Sequence, residues 1–272
     1  MSDEASELSG IDVTVPNAAR MYNYYLGGKD NFAADRAAAE QVFKVAPETR
    51  ELARQNRAFL RRALRHVMAE SGVRQFLDIG TGLPTEGNVH EIVHTRHPRA
   101  AVAYVDNDPV VLAHARAILT RSPNTVAVRG DLRRPLELLG DPELRRLIDM
   151  SQPVVVLLVS VLHFLTEDDK PGAVIAQLRE SMAPGSYLIL SHVTAAERAQ
   201  NAQQGADVYR NANASITLRS RQQIEEYFDG FDLLSPGLVK LSEWRPDEDA
   251  MFATYRGREL PTWFYCGVGR LK

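Results

Sequence analysis

Gln75-Phe76-Leu77-Asp78-Ile79-Gly80-Thr81-Gly82 reads as a short apolar strand running into a glycine loop. A helical pattern follows at about 86–96. Glycines there let the backbone turn tightly and come close to a ligand, and the next helix offers its N-terminal amides. A plain strand-to-helix turn is the competing reading. Outward from this stretch the same texture repeats. Apolar runs at 101–106, 125–128, 154–160 and 187–192 alternate with helical patterns at 109–120, 141–150 and 170–182. The runs are nearly continuous rather than alternating, which marks strands buried on both faces of a parallel sheet. The spacing predicts a doubly wound, Rossmann-like α/β domain.

The flanks differ. Residues 1–15 are polar and read as a frayed start. The pattern is helical over 16–46, broken at Gly27-Gly28, and again over 47–71. In the second stretch Pro47 suits a first helical residue, Glu48 and Glu51 suit its first turn, and Leu52, Phe59, Leu60, Ala63, Leu64 and Val67 form one stripe. Residues 1–71 therefore predict an N-terminal helical unit, and 72–272 the α/β unit. Residues 194–219 are polar without an apolar period. A helix at 221–228 and strands at 231–234, 238–241 and 262–268 follow, implying an antiparallel pair that closes the sheet.

Composition narrows the function classes. Among 272 residues, 44% are hydrophobic and 25% charged, so a packed core is expected. With 32 Lys+Arg against 35 Asp+Glu, the formal charge is -3, which argues against a polyanion-binding protein. One cysteine, Cys266, permits no internal disulfide and no thiolate metal cluster. The acidic start Met1-Ser2-Asp3-Glu4 has no apolar stretch behind it, and no run approaches the ~20 residues of a membrane span. The expectation is a cytoplasmic protein without a metal site and without membrane contact.

Three loops carry acids. Asp78 ends the first strand. Asp106 ends the second, in Tyr104-Val105-Asp106-Asn107-Asp108-Pro109, where an acid can accept from both hydroxyls of a ribose. Asp108 reads as the cap of the next helix. Asp131 follows the third strand in Gly130-Asp131-Leu132, where it can accept from an adenine amino group. Three such loops in register point to an adenosine site. A dinucleotide would want a third glycine where the chain has Pro84-Thr85, and it leaves Asp78 without a task.

These motifs resemble those of class I S-adenosylmethionine-dependent methyltransferases. The block Pro16-Asn17-Ala18-Ala19-Arg20-Met21-Tyr22-Asn23-Tyr24-Tyr25-Leu26-Gly27-Gly28-Lys29-Asp30-Asn31 extends the likeness. With Gln55-Asn56-Arg57-Ala58-Phe59-Leu60 and Trp244-Arg245-Pro246, it resembles a bacterial S-adenosyl methyltransferase family long catalogued as a domain of unknown function. The likeness covers nearly the whole chain. It implies a seven-stranded sheet whose last strand is antiparallel, with S-adenosyl-L-methionine as cofactor. Gly80, Thr81 and Gly82 would pass the methionine portion, Asp106 would hold the ribose, Asn107 the adenine face, and Asp131 and Leu132 its edge. By its place at the strand end, Asp78 is a candidate to hold an ammonium group, directly or through water.

The remaining candidates lie around the methyl group. Ser160 counts with the cofactor-binding residues. The Leu162-His163-Phe164 form is similar to that of many small-molecule methyltransferases, and the chain lacks the Asp/Asn-Pro-Pro-aromatic motif of enzymes that methylate nucleic-acid amino groups. His163 and His192 are candidate bases, with a satisfied structural histidine as the alternative. Tyr22, Tyr25 and Lys29 are candidates for a lid over the cofactor, since aromatic faces suit a sulfonium cation, and Arg57 for binding a carboxylate. The lid, residues 194–219 and the loop 244–258 are expected to shape the acceptor pocket. The predicted activity is methyl transfer to a small-molecule acceptor. A non-catalytic S-adenosylmethionine-binding regulator and a nicotinamide-dependent oxidoreductase are the rivals. Acceptor atom and oligomeric state have no signature in the sequence.

Overall fold

A computed structural model describes residues 12–85, 87–119, 122, 124–194, 199–209, 212, 214–246 and 263–272. Residues 1–11 of the expected frayed start over 1–15, and most of the loop 244–258, lie outside these residues.

Among the described residues, three helices precede the sheet: α1 (Ala18–Tyr25), α2 (Ala33–Val45) and α3 (Thr49–Glu70). The break at Gly27-Gly28 separates α1 from α2 as expected. Pro47 sits in the turn before α3 rather than in its first turn, and Glu48 is the N-cap. All six apolar residues of the α3 stripe are buried, and so are Gln55, Asn56 and Arg62 between them.

The parallel core then unfolds as β1 (Gln75–Ile79), α4 (Val89–His94), β2 (Ala101–Asp106), α5 (Pro109–Leu119), β3 (Thr125–Arg129), α6 (Pro135–Leu139), α7 (Pro142–Leu147), β4 (Val155–Val159), a 3-10 turn at Leu162–Phe164, α8 (Pro171–Ser181) and β5 (Tyr187–Val193). After it come α9 (Ala199–Tyr209), α10 (Arg221–Glu225), a 3-10 turn at Glu226–Phe228, β6 (Phe231–Leu233), β7 (Val239–Lys240) and β8 (Phe264–Leu271). The helix α9 falls in the polar 194–219 stretch, where no apolar period announced it. The helix α6 was not anticipated either.

The strand order is β3-β2-β1-β4-β5-β8-β6, with β7 on β8. Strands β1 to β5 are mutually parallel. The last strand, β8, is antiparallel to β5 and lies inside the sheet, with the short β6 and β7 sharing its outer edge. Among the described residues the path thus has the expected seven strands, and two-residue β7 makes an eighth.

Alternate strand residues feed two apolar layers, as successive side chains of a strand must. Phe76, Val102, Val155, Leu157 and Ile189 face a layer shared with α1, α2, α3 and α9. Leu77, Ala103, Val156, Leu158 and Leu190 face the other, shared with α6, α7, α8 and α10. The N-terminal helices therefore share a core with one face of the sheet. Among the described residues, no helix is long and apolar enough to cross a membrane.

Candidate active site

Strand β1 pairs with β2 on one side and β4 on the other, so the connections leaving β1 and β4 diverge. Ligands of open α/β sheets bind in the crevice at such a switch point, outside the carboxyl ends of the strands. A cavity of about 420 Å³ lies there, roofed by α1 and α3. That volume falls within the roughly 300–1,000 Å³ usual for small-molecule sites.

The glycine loop is built tightly. Gly80 has φ 72° and Gly82 φ 66°, a region L side chains seldom enter. A Cβ on Gly80 would come within 2.1 Å of Val161 Cγ2, whereas one on Gly82 would meet nothing within 4 Å. The loop's amides are already engaged. Gly80 and Thr81 donate to the Val105 carbonyl at 2.8 and 3.2 Å, and Gly82 donates to Asp106 Oδ2 at 2.9 Å. Gly80, Thr81 and Gly82 therefore leave no fan of free amides for a pyrophosphate. Helix α4 starts only at Val89, none of its residues lines the cavity, and its His90 amide donates to Tyr104 Oη at 2.8 Å. The expectation that this helix presents its amides to the ligand is thus corrected.

The three acids sit at the cavity wall in different electrostatic settings. Asp78 is buried, and no hydrogen bond among the described residues reaches its carboxyl. Burial lifts its pKa to about 7, with nearby Asp106 adding to the rise and Arg57 opposing it. Asp106 accepts from Gly82 N and, at 3.0 Å through Oδ1, from Asp108 N. Burial raises its pKa, against the lowering effect of those amides. Asp131 is half-buried and held by Arg133, whose Nη2 lies 2.6 Å from Oδ2. These hydrogen bonds keep its carboxyl below the usual range.

All but two of the expected site residues line this one cavity. Asp78, Gly80, Thr81, Gly82, Asp106 and Asn107 lie along β1 and β2, with Asp131 and Leu132 after β3. Ser160 and His163 come from the end of β4, and Tyr22, Tyr25 and Arg57 from the roof. Arg57 also donates from Nη2 to the Gly87 carbonyl at 2.8 Å.

Lys29 and His192 are corrected. Lys29 is exposed and does not line the cavity, because it follows the Gly27-Gly28 break and leaves the α1 face. His192 is fully buried in the opposite layer, beside Tyr227. Its Nδ1 donates to the Val193 carbonyl at 2.6 Å, and its Nε2 accepts from Arg219 Nη1 at 3.1 Å. Burial drives its pKa down to about 3, and Arg219 assists. Both ring nitrogens are committed, which leaves no base. Trp244 is also away from the cavity: it is buried against Phe59 of α3, and its carbonyl accepts from Arg62 Nε at 2.8 Å.

Several site residues escaped the sequence reading. Asn17 caps α1 and donates from Nδ2 to Asp108 Oδ2, which ties the roof to the loop after β2. Asn56 joins α3 to the sheet: Ser191 Oγ donates to its Oδ1 at 2.7 Å, and its Nδ2 donates to Tyr22 Oη at 3.0 Å. Ser191 Oγ in turn accepts from the Ser160 amide at 3.0 Å, where Ser160 has φ 61°. The available signal was a polar residue inside an apolar stripe, four positions from both Leu52 and Leu60. Arg133 was missed because its role depends on Asp131 two residues away.

Among the described residues, no group of three or more His, Cys, Asp or Glu is placed to hold a metal ion. The strand order, the switch-point cavity and acids at three successive strand ends define the architecture of a class I methyltransferase. The S-adenosyl methyltransferase family profile matches residues 4–272. A DUF574 family protein from Streptomyces avermitilis MA-4680 is similar, at 35% identity and a TM-score of 0.91 over 96% of this chain and 99% of that one. A protein from Thermobifida fusca YX shares 40% identity over 97% of both chains, with a TM-score of 0.88. The plantazolicin methyltransferase BamL, at 11% identity and a TM-score of 0.54 over 99% of this chain and 98% of that one, shares the fold. No curated protein matches. The chain belongs to the S-adenosyl methyltransferase family, and its cofactor is S-adenosylmethionine.

Proposed function

We propose that the protein binds S-adenosylmethionine across the carboxyl ends of β1 to β3 and methylates a small molecule seated beside it. The observation that carries this reading is the convergence of Asp78, Asp106 and Asp131 on one cavity, with the Asp78 carboxyl unpaired among the described residues. A buried carboxylate lacking a partner is costly, and a cationic ligand group removes that cost. Asp78 would take the ammonium group of the cofactor and Arg57 its carboxylate. Asp106 would accept from the ribose hydroxyls, Asn107 would cover the adenine, and Asp131 and Leu132 would meet its edge. The open space over Gly82 leaves room for the methionine portion.

When bound, S-adenosylmethionine supplies a methyl group on a sulfonium sulfur. The chain's part is to align the acceptor, exclude water and receive a proton where the acceptor loses one. Alignment alone can supply roughly 7–11 kcal/mol of barrier reduction. Tyr22 and Tyr25 offer aromatic faces near the cation. His163 is the remaining candidate base, and burial holds its pKa well below the ordinary value. Residues 1–71 serve in this reading as a cap on the 72–272 unit, through the Asn17–Asp108 and Asn56–Ser191 contacts. The single cysteine, Cys266, buried in β8, fits a cytoplasmic setting.

Calorimetric titration with S-adenosylmethionine, S-adenosylhomocysteine and NADH tests the proposal. Binding of the first two without the third supports it. Binding of NADH alone overturns it.

A further inference from the structure

The cavity is divided by charge. Its charged lining residues lie towards β1, β2 and β3: Asp78, Asp106, Asp108 and Asp131, with Arg57 near Asp78 and Arg133 on Asp131. Asp169 belongs with them, since its charge acts on Arg133. Over β4, β5 and β8 the described lining holds no charged side chain. There the walls are Phe164, Tyr209, Ile216, Trp263 and Phe264, with Tyr25 from the roof. The sheet order sets this separation, because β8 lies three strands from β1.

This half still contains polar atoms. Trp263 Nε1 and His163 Nδ1 are buried without a hydrogen-bond partner among the described residues. Tyr25 Oη and Tyr209 Oη lie 2.9 Å apart, so one hydroxyl donates to the other and one proton is left over. An ionised acceptor would leave water for a described lining that offers no opposite charge. A flat ring packs well against such aromatic walls, and a single polar substituent can meet an orphaned N–H or the spare hydroxyl.

We infer that the methyl acceptor is an uncharged aromatic molecule carrying one or two polar groups, seated among Phe164, Tyr209, Trp263 and Phe264. The inference rests on the cofactor reading above and names the acceptor class for the same site. Gly205 of α9 gives a direct block. It is buried and lines the cavity, and a Cβ there would stand 3.8 Å from the Trp263 ring, an ordinary contact. Gly205→Leu therefore fills the aromatic half while favouring the helix.

The test uses the full chain saturated with S-adenosylhomocysteine, whose binding is measured first. Three probes sharing one ring system are then titrated by calorimetry: 2-naphthol, 2-naphthoate and 2-naphthylmethylammonium. The expected result is 2-naphthol binding at least ~10-fold tighter than either charged probe. Gly205→Leu should weaken 2-naphthol by a similar factor and leave S-adenosylhomocysteine affinity unchanged. Failure of S-adenosylhomocysteine to bind overturns the cofactor reading and this inference with it. If it binds, absence of 2-naphthol binding, equal or tighter binding of a charged probe, or an unaffected Gly205→Leu variant overturns the acceptor class alone.

Discussion

The amide oxygen of Asn56 accepts a 2.7 Å hydrogen bond from the hydroxyl of Ser191, 135 positions away. Asn56 lies on α3 and Ser191 on β5, so the bond fastens the N-terminal helices to the sheet beside the cavity. It is the middle of a relay from the Ser160 amide to the Tyr22 hydroxyl, which ends at the Ala53 carbonyl.

Breaking that relay should destabilise the whole fold. Asn56→Ala leaves the Ser191 O–H without its acceptor and the Tyr22 hydroxyl with the Ala53 carbonyl alone, at a cost of about 1–3 kcal/mol in urea unfolding. Asn56→Ala and Ser191→Ala should be non-additive by at least ~0.5 kcal/mol when combined. Strict additivity would mean that the two side chains do not act as a unit.

Asp106→Ala should weaken S-adenosylhomocysteine at least ~10-fold, since hydrogen bonds to a charged group are worth about 1.5–3 kcal/mol. Calorimetry reads the affinity, and circular dichroism checks that the variant is folded. A folded variant with normal affinity would remove Asp106 from the ribose site.

Asp78 makes a pH-dependent prediction. Its folded pKa of about 7 exceeds the ordinary 3.8, so the native state holds the proton more tightly than the unfolded chain. Its contribution to stability is present below about pH 4 and is lost as pH rises to about 7. Asp78→Asn should therefore melt higher than wild type at pH 8, with a gain of at most about 4 kcal/mol, and the difference should vanish near pH 4. Cofactor affinity of the wild type should rise through pH 7 as the carboxylate forms. Pairs of melting curves at the two pH values, with titrations alongside, give the answer. A constant gap between the variants would contradict the assignment.

Gly80→Ala should be severely destabilising, because the new methyl group overlaps Val161 and the backbone is left-handed there. Val161→Ala in the same chain should recover the steric part and leave roughly 1–2 kcal/mol of backbone strain. Thermal unfolding of the two single variants and the double variant measures the recovery, and none at all would exclude the contact as the cause.

His192→Ala should lower stability and leave S-adenosylhomocysteine affinity within about 2-fold, since the ring contacts Arg219 rather than the cavity. The wild-type imidazole has a folded pKa of about 3 against an ordinary 6.5. Its contribution is full above about pH 6.5 and is lost as pH falls towards 3. The variant should show less acid sensitivity over that window. A large loss of cofactor affinity at unchanged stability would return His192 to the site.

Much of this molecule was legible in advance, and the reason is local. Strands buried on both faces leave continuous apolar runs, and the five parallel strands were found within a residue or two of their ends. The acids at the ends of β1 and β2 and just after β3 were legible because the chain places them where the strands end, beside the crevice. Helix α9 was not, because only part of its surface meets α2 and the cavity, and Ala, Gln and Gly dilute its period.

Local sequence by itself determined that a parallel α/β sheet would form and that acids would stand at its carboxyl edge, since residue spacing of 2 and 3.6 is written along the chain. Tertiary structure alone decided which polar side chains meet. Ser191 and His192 are neighbours in sequence but point to opposite faces of β5, so one reaches Asn56 of α3 and the other Arg219. Which face becomes the roofed one depends on strand order and on the packing of α1 to α3, contacts between residues more than a hundred positions apart. The insertion of β8 between β5 and β6 is likewise a long-range choice, and it is what brings Trp263 and Phe264 to the aromatic half of the cavity.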